Sequence, residues 1–92
     1  MPFAERLHLV SYLDRIVLED VMRIDSREKN IDHIAVNVSS ASLENDSFRR
    51  WIYSALKKLS ENSPRINFEF AEFGAVQNLY LIKEFSLVVR QY

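Results

Sequence analysis

Asn37 and Glu69 are the side chains in this sequence of 92 residues whose types and placement suggest chemistry. Asn37 lies in the run Ile34-Ala35-Val36-Asn37-Val38-Ser39, and Glu69 in Asn67-Phe68-Glu69-Phe70-Ala71-Glu72. Each run reads as a short buried strand with one polar residue where a barrel interior would hold it. An amide and a carboxylate at matching depth on consecutive strands look like two pieces of a metal or phosphate site. Hard divalent cations such as Mg²⁺ take carboxylate and amide-carbonyl oxygens. Two strand-end oxygens side by side can share one ion. The plainer alternative has Asn37 capping a turn and Glu69 meeting solvent. Glu72 offers a second carboxylate, but it suits the loop or the start of a third helix, where negative charge favours the helix dipole.

Other candidates carry less. His8 and His33 are isolated and show no ligand spacing; His33, just before a strand, reads as a surface residue. Ser39 and Ser40 lack a nearby base, so a serine nucleophile is not indicated. Trp51 fits an apolar helix stripe and reads as core. The pairs Arg49-Arg50 and Lys57-Lys58 read as a solvated face.

Elements of regular structure must position Asn37 and Glu69. Residues 1 to about 24 read as a helix, with Phe3, Leu7, Val10, Leu13, Val17, Val21 and Ile24 on one face. Pro2 suits its first turn, where a missing N–H costs nothing. Asp25 to Asn30 reads as a short polar connection. Ile34 to Val38 is a strand; Ile34, Val36 and Val38 point one way and Ala35, Asn37 and Ser39 the other. Ser40 to Asn45 reads as a loop, and Asp46 or Ser47 can cap a second helix. Phe48, Trp51, Ile52, Ala55, Leu56 and Leu59 line that helix. Asn62-Ser63-Pro64 ends it, because proline disfavours helix in the residue before it. Ile66, Phe68 and Phe70 then share one face of a second strand, with Asn67 and Glu69 on the other. Gly74 breaks the chain, and Ala75 to about Arg90 forms a third helix with a broad apolar surface.

The order helix, strand, helix, strand, helix predicts an α/β fold with parallel strands joined by right-handed crossovers. A two-stranded parallel sheet has unpaired edges and needs cover on both faces. One glycine and two prolines are few turn formers for this length. Together these features predict a slice of a larger fold, and they predict self-association through strand edges and the third helix.

Composition removes several functions. The chain carries 12 basic and 13 acidic side chains, for a net charge of -1. That gives no basic footprint for a nucleic acid polymer and no polybasic membrane signal. No apolar run approaches the roughly 18 to 20 residues of a membrane span, and no signal-peptide pattern opens the chain. There are no cysteines, which removes thiolate–zinc and thiol chemistry and fits a cytoplasmic location.

Four segments resemble the EAL domain of bacterial cyclic di-GMP phosphodiesterases and receptors. Met1-Pro2-Phe3-Ala4-Glu5-Arg6 is similar to the family's I-P-x-A-E segment, and Leu13-Asp14-Arg15 with Val17-Leu18 to L-D-x-x-V-L. Val36-Asn37-Val38-Ser39 looks like V-N-L-S, and Glu69-Phe70-Ala71-Glu72 like E-x-T-E. Order and spacing agree over nearly the whole chain.

The resemblance implies a TIM-like barrel that binds cyclic di-GMP at its strand C-termini. In active members, Mg²⁺ or Mn²⁺ ions activate water to cleave one phosphodiester, giving linear pGpG. Asn37 matches the metal-binding asparagine, Glu69 the first, ligating glutamate of E-x-T-E, and Glu72 its supporting second glutamate. The naming E-A-L strand would precede Met1, and the D-D-F-G aspartates would follow Tyr92. The expectation is therefore a central portion of one EAL domain, a partial barrel of the parent, without turnover or a metal of its own. The parent would be cytoplasmic, or the cytoplasmic part of a membrane-bound signalling protein. Ala71 stands where the family has threonine, and His8 where it often has glycine. Such departures fit a degenerate receptor that binds without cutting. A small α/β interaction module is the remaining alternative.

Overall fold

The computed structural model describes residues 3–59, 61–71 and 78–90. Among them, helix α1 spans Phe3–Met22, a short helix α2 Ser26–Lys29, strand β1 His33–Asn37, a 3-10 helix Ser40–Glu44, helix α3 Asp46–Lys57, strand β2 Arg65–Glu69 and helix α4 Leu79–Val89. The two strands are parallel, as the alternating order requires. The fold is mixed α/β, and the five principal predicted elements are present.

The strands pair without offset: His33 faces Arg65, Ile34 faces Ile66, Ala35 faces Asn67, Val36 faces Phe68, and Asn37 faces Glu69. The ladder extends at both ends, through Arg65 N–H to the Asp32 carbonyl at 2.8 Å and Val38 N–H to the Glu69 carbonyl at 2.9 Å. Register follows from burial, because a slip of one residue would turn every apolar side chain to the wrong face. Ile34, Val36, Ile66, Phe68 and Phe70 all belong to the core or pack against it.

The core lies between that face of the sheet and the helices. Leu18, Val21, Val36, Val38, Leu43, Phe48, Ile52, Leu56 and Phe85 are buried together. Phe85 of α4 is its aromatic centre. Phe68 meets it edge-on at 5.0 Å, Phe70 edge-on at 6.0 Å, and Tyr53 stacks at 6.0 Å. Edge-to-face contacts are favoured by the ring quadrupole and add about 0.5–1.5 kcal/mol per pair beyond area burial. Phe85 thus joins β2, α3 and α4.

Several local expectations are corrected. The connection Asp25 to Asn30 contains α2. Asp25 caps it, accepting from the N–H groups of Arg27 at 2.9 Å and Glu28 at 3.3 Å. Asn30 ends it in the left-handed region at φ 56°, which asparagine tolerates better than most residues. The expected loop Ser40 to Asn45 is largely the 3-10 helix, capped by the Ser39 hydroxyl accepting from Ala41 N–H at 3.2 Å. Asn45, not Asp46 or Ser47, caps α3: its side-chain oxygen accepts from Ser47 N–H at 2.9 Å and Phe48 N–H at 3.3 Å. Arg49 is half-buried and donates to the Leu43 carbonyl and to Asp46, so the pair with Arg50 is not simply solvated. Of the third helix, Leu79–Val89 is described; its predicted start at Ala75 lies outside the described residues, as do Pro2 and Gly74.

The largest correction concerns α1. The expected face included Leu13 and Val17, yet these are 52% and 49% exposed. The buried line is Ser11, Leu18 and Val21, with Asp14 half-buried between them. These four lie three or four residues apart or one further turn on, a continuous helical stripe. Two of them are polar, and each has a partner. Ser11 Oγ donates to the His8 carbonyl at 3.1 Å and accepts from Asn45 Nδ2 at 3.0 Å. Asp14 bonds the 3-10 segment. Hydrogen bonding therefore chose the face that apolar periodicity passed over.

Two consequences for stability can be measured. Ile52 is fully buried in α3, so Ile52→Ala should cost about 2–5 kcal/mol through lost transfer energy and the cavity left behind, read from the urea midpoint. Asn45→Ala removes the α3 cap and the bond to Ser11, and should cost about 1–2 kcal/mol. Asn45→Asp, which keeps the capping oxygen, should recover most of that loss in the same denaturation.

Candidate functional site

The second face of the sheet is open and polar. Its direct cross-strand pairs run His33 with Arg65, Ala35 with Asn67, and Asn37 with Glu69. All six residues are exposed. A parallel sheet is ordinarily apolar on both faces, so a polar face is the feature that needs a purpose. Asn37 is the last residue of β1 and Glu69 the last of β2. They are register partners, on strands about 4.8 Å apart. The sequence expectation of an amide and a carboxylate at matching depth is met by the geometry.

Neighbours fix both positions. Val36 and Val38, on either side of Asn37, are only 4% and 2% exposed. With both neighbours buried, strand alternation leaves Asn37 the open face. Phe68 and Phe70 flank Glu69 in the same way, held by Phe85. The bond from Val38 N–H to the Glu69 carbonyl ties the two strand ends together directly.

The donor set is oxygen only: one neutral amide carbonyl and one carboxylate. That chemistry fits Mg²⁺ or Mn²⁺ and disfavours zinc, which prefers imidazole and thiolate. Two oxygens supply about a third of an octahedral shell. Among the described residues no group of three or more His, Asp and Glu side chains could complete it. Glu72, the supporting carboxylate expected from the sequence, lies outside the described residues.

Behind the strand ends sits a node of hydrogen bonds that the apolar pattern of α1 does not reveal. Asp14 of α1 accepts two hydrogen bonds at the same oxygen, from Ser39 N–H at 2.9 Å and from the Ser42 hydroxyl at 2.6 Å. Asn78, just before α4, donates to Ser40 Oγ at 3.1 Å. The segment leaving β1 is thus bonded to α1 on one side and to the α4 start on another. A signal was available: Asp14 is a polar residue at core spacing on α1, within Leu13-Asp14-Arg15.

Remaining features lie away from the strand ends. Arg15 sits 4.8 Å over the Trp51 ring and pairs with Glu19 at 2.7 Å. Trp51 packs against the core as expected, with that cation on its outer side. A shallow groove between α1 and α3 is lined by His8, Tyr12, Arg15, Asn45 and Phe48. A larger depression, about 910 Å³, opens beside the N-terminal strand ends at His33 and Arg65, opposite the end that carries Asn37 and Glu69. Glu84 raises the Tyr80 hydroxyl above the ordinary phenol value, by a side-chain hydrogen bond first and by its charge second. No described helix is long and apolar enough to cross a membrane.

No curated protein and no solved structure matches the chain. A family model described as the EAL domain matches residues 1–86. That family is TIM-barrel-like, works in cyclic di-GMP signalling and uses divalent metals. The match spans both strand ends and Asp14, and with it the chain belongs to the EAL domain family.

Proposed function

We propose that the chain supplies the Asn37–Glu69 part of a cyclic di-GMP site in a parent EAL domain. One observation carries the reading. An amide and a carboxylate are direct register partners at the C-terminal ends of two parallel strands, exposed on a polar face. In barrels built from such units, active sites form at that end. The match over residues 1–86 argues against an unrelated interaction module.

In this reading the Asn37 side-chain oxygen and the Glu69 carboxylate hold one Mg²⁺ or Mn²⁺ ion. When bound, such an ion polarises a phosphoryl oxygen and offsets its negative charge. Glu69 contributes the charge and Asn37 a neutral oxygen, and the rigid strand ends keep them side by side. Glu72 supports Glu69, as the second glutamate of Glu69-Phe70-Ala71-Glu72. Among the described residues Asn37 and Glu69 alone are too few ligands to activate water, so they hold a metal only at high concentration and do not by themselves produce pGpG. A parent that binds without hydrolysis is the second reading, favoured by Ala71 in place of the family's threonine. The parent domain works in the cytoplasm, free or attached to a membrane-bound sensor.

Manganese titration followed by NMR tests the ligand roles. Mn²⁺ should broaden the Asn37 side-chain amide at about millimolar concentration, with Mg²⁺ competing. Glu69→Gln and Asn37→Ala should each abolish the effect, and cyclic di-GMP incubated with the chain and Mn²⁺ should remain intact. Broadening that survives both substitutions removes the site assignment; metal-dependent pGpG formation removes the assignment of inactivity.

Self-association through a second copy belongs to the same proposal. Leu9, Tyr12, Leu13, Ile16 and Val17 are exposed on α1, at the three- and four-residue steps of one helix face. An apolar face of that kind marks an interaction surface, and two exposed strand edges add to it. Sedimentation velocity should show a dimer that grows with concentration and is weakened by Leu13→Glu. A monomer across the whole range rejects this part.

A further inference from the structure

We propose that Asp14 is a positioning residue for Asn37, acting through the segment that leaves β1. The inference rests on the reading of Asn37 and Glu69 as metal ligands.

Asp14 is half-buried, and one of its oxygens accepts from both Ser39 N–H at 2.9 Å and Ser42 Oγ at 2.6 Å. Ser42 is fully buried. Among the described residues no ion pair engages this carboxylate, so hydrogen bonds are what hold it. Such charge-assisted bonds are short and about twice as strong as neutral ones.

Their position matters more than their strength. Asn37 is followed by Val38, whose N–H donates to the Glu69 carbonyl, and then by Ser39, whose N–H donates to Asp14. Successive amides are thus fixed in different directions, one to the neighbouring strand and one to α1. Ser39 then turns the chain, its hydroxyl capping the 3-10 helix. Within that helix Ser42 returns to the same Asp14 oxygen. This closes a loop of bonds immediately beyond Asn37 and sets the direction in which β1 ends. Without Asp14, the Ser39 N–H and the buried Ser42 hydroxyl lose their acceptor. The strand end can then fray, and the Asn37 oxygen samples positions away from Glu69. A metal ligand must stay within about 0.5 Å of its working position, so this motion is felt as lost affinity.

The test uses the whole chain and manganese chloride, with the Asn37 side-chain amide as reporter. Asp14→Ala should raise the half-saturating Mn²⁺ concentration about tenfold, and Ser42→Ala, which removes one of the two bonds, about threefold. Asp14→Asn retains an oxygen that can accept both bonds and should stay within about twofold of the starting chain. Amide exchange at Ser39 should quicken in the alanine variants and recover in Asp14→Asn. If Asp14→Ala does not fold, Ser42→Ala and Asp14→Asn decide between them. Equal Mn²⁺ midpoints in folded variants that differ only in stability overturn the inference and leave the metal site standing. Absence of any Mn²⁺ effect at Asn37 in the unaltered chain overturns the site, and this inference falls with it.

Discussion

The hydrogen bonds of Asp14 are the constraint on which the rest of the structure turns. They attach the first helix to the segment that follows the first strand, 25 and 28 residues further along the chain. Even a half-buried carboxylate is costly without partners, whereas one that accepts a backbone N–H and a hydroxyl is not. The partners therefore have to be present, and they come from the 3-10 helix. That helix in turn buries Leu43 and Ser42 completely, and it meets α1, α3 and α4. One polar node thereby ties the inward side of α1 to the segment that follows β1.

The sheet divides its work between two faces. The apolar face is held by Val36, Val38, Phe68 and Phe70 against the helices. The polar face is left with His33, Asn37, Asn67, Arg65 and Glu69. Strand alternation links the two: the tighter the valines and phenylalanines pack, the more firmly the polar residues between them are aimed outward. The aromatic contacts of Phe68 and Phe70 with Phe85 thus help turn Glu69 to the open face. The same arrangement leaves Leu9, Tyr12, Leu13, Ile16 and Val17 exposed on α1, and each strand of the two-stranded sheet with one described partner.

Much of this was legible in the residues. The alternation of helix and strand, the inward phenylalanines, and the pairing of Asn37 with Glu69 follow from periodicities of 3.6 and 2. The α1 face did not follow, because counting apolar residues selected Leu13 and Val17 and skipped Ser11 and Asp14. The cap of α3 is not fixed by residue type, since Asn45, Asp46 and Ser47 are all competent caps; in the fold Asn45 takes the position and also bonds Ser11. The 3-10 helix is hidden in the sequence because Ser40, Ala41 and Ser42 carry no helical stripe.

By itself the sequence determined the five principal elements, the parallel order and the four segments that mark the EAL domain family. These depend on residues near one another in the chain, where spacing alone predicts geometry. Tertiary structure decided which side of α1 is buried, and that Asp14 rather than an apolar neighbour secures the end of β1. The physical reason is that a buried polar side chain is tolerated only with its partner in place. Ser39 and Ser42 become that partner only when the chain has folded back on itself.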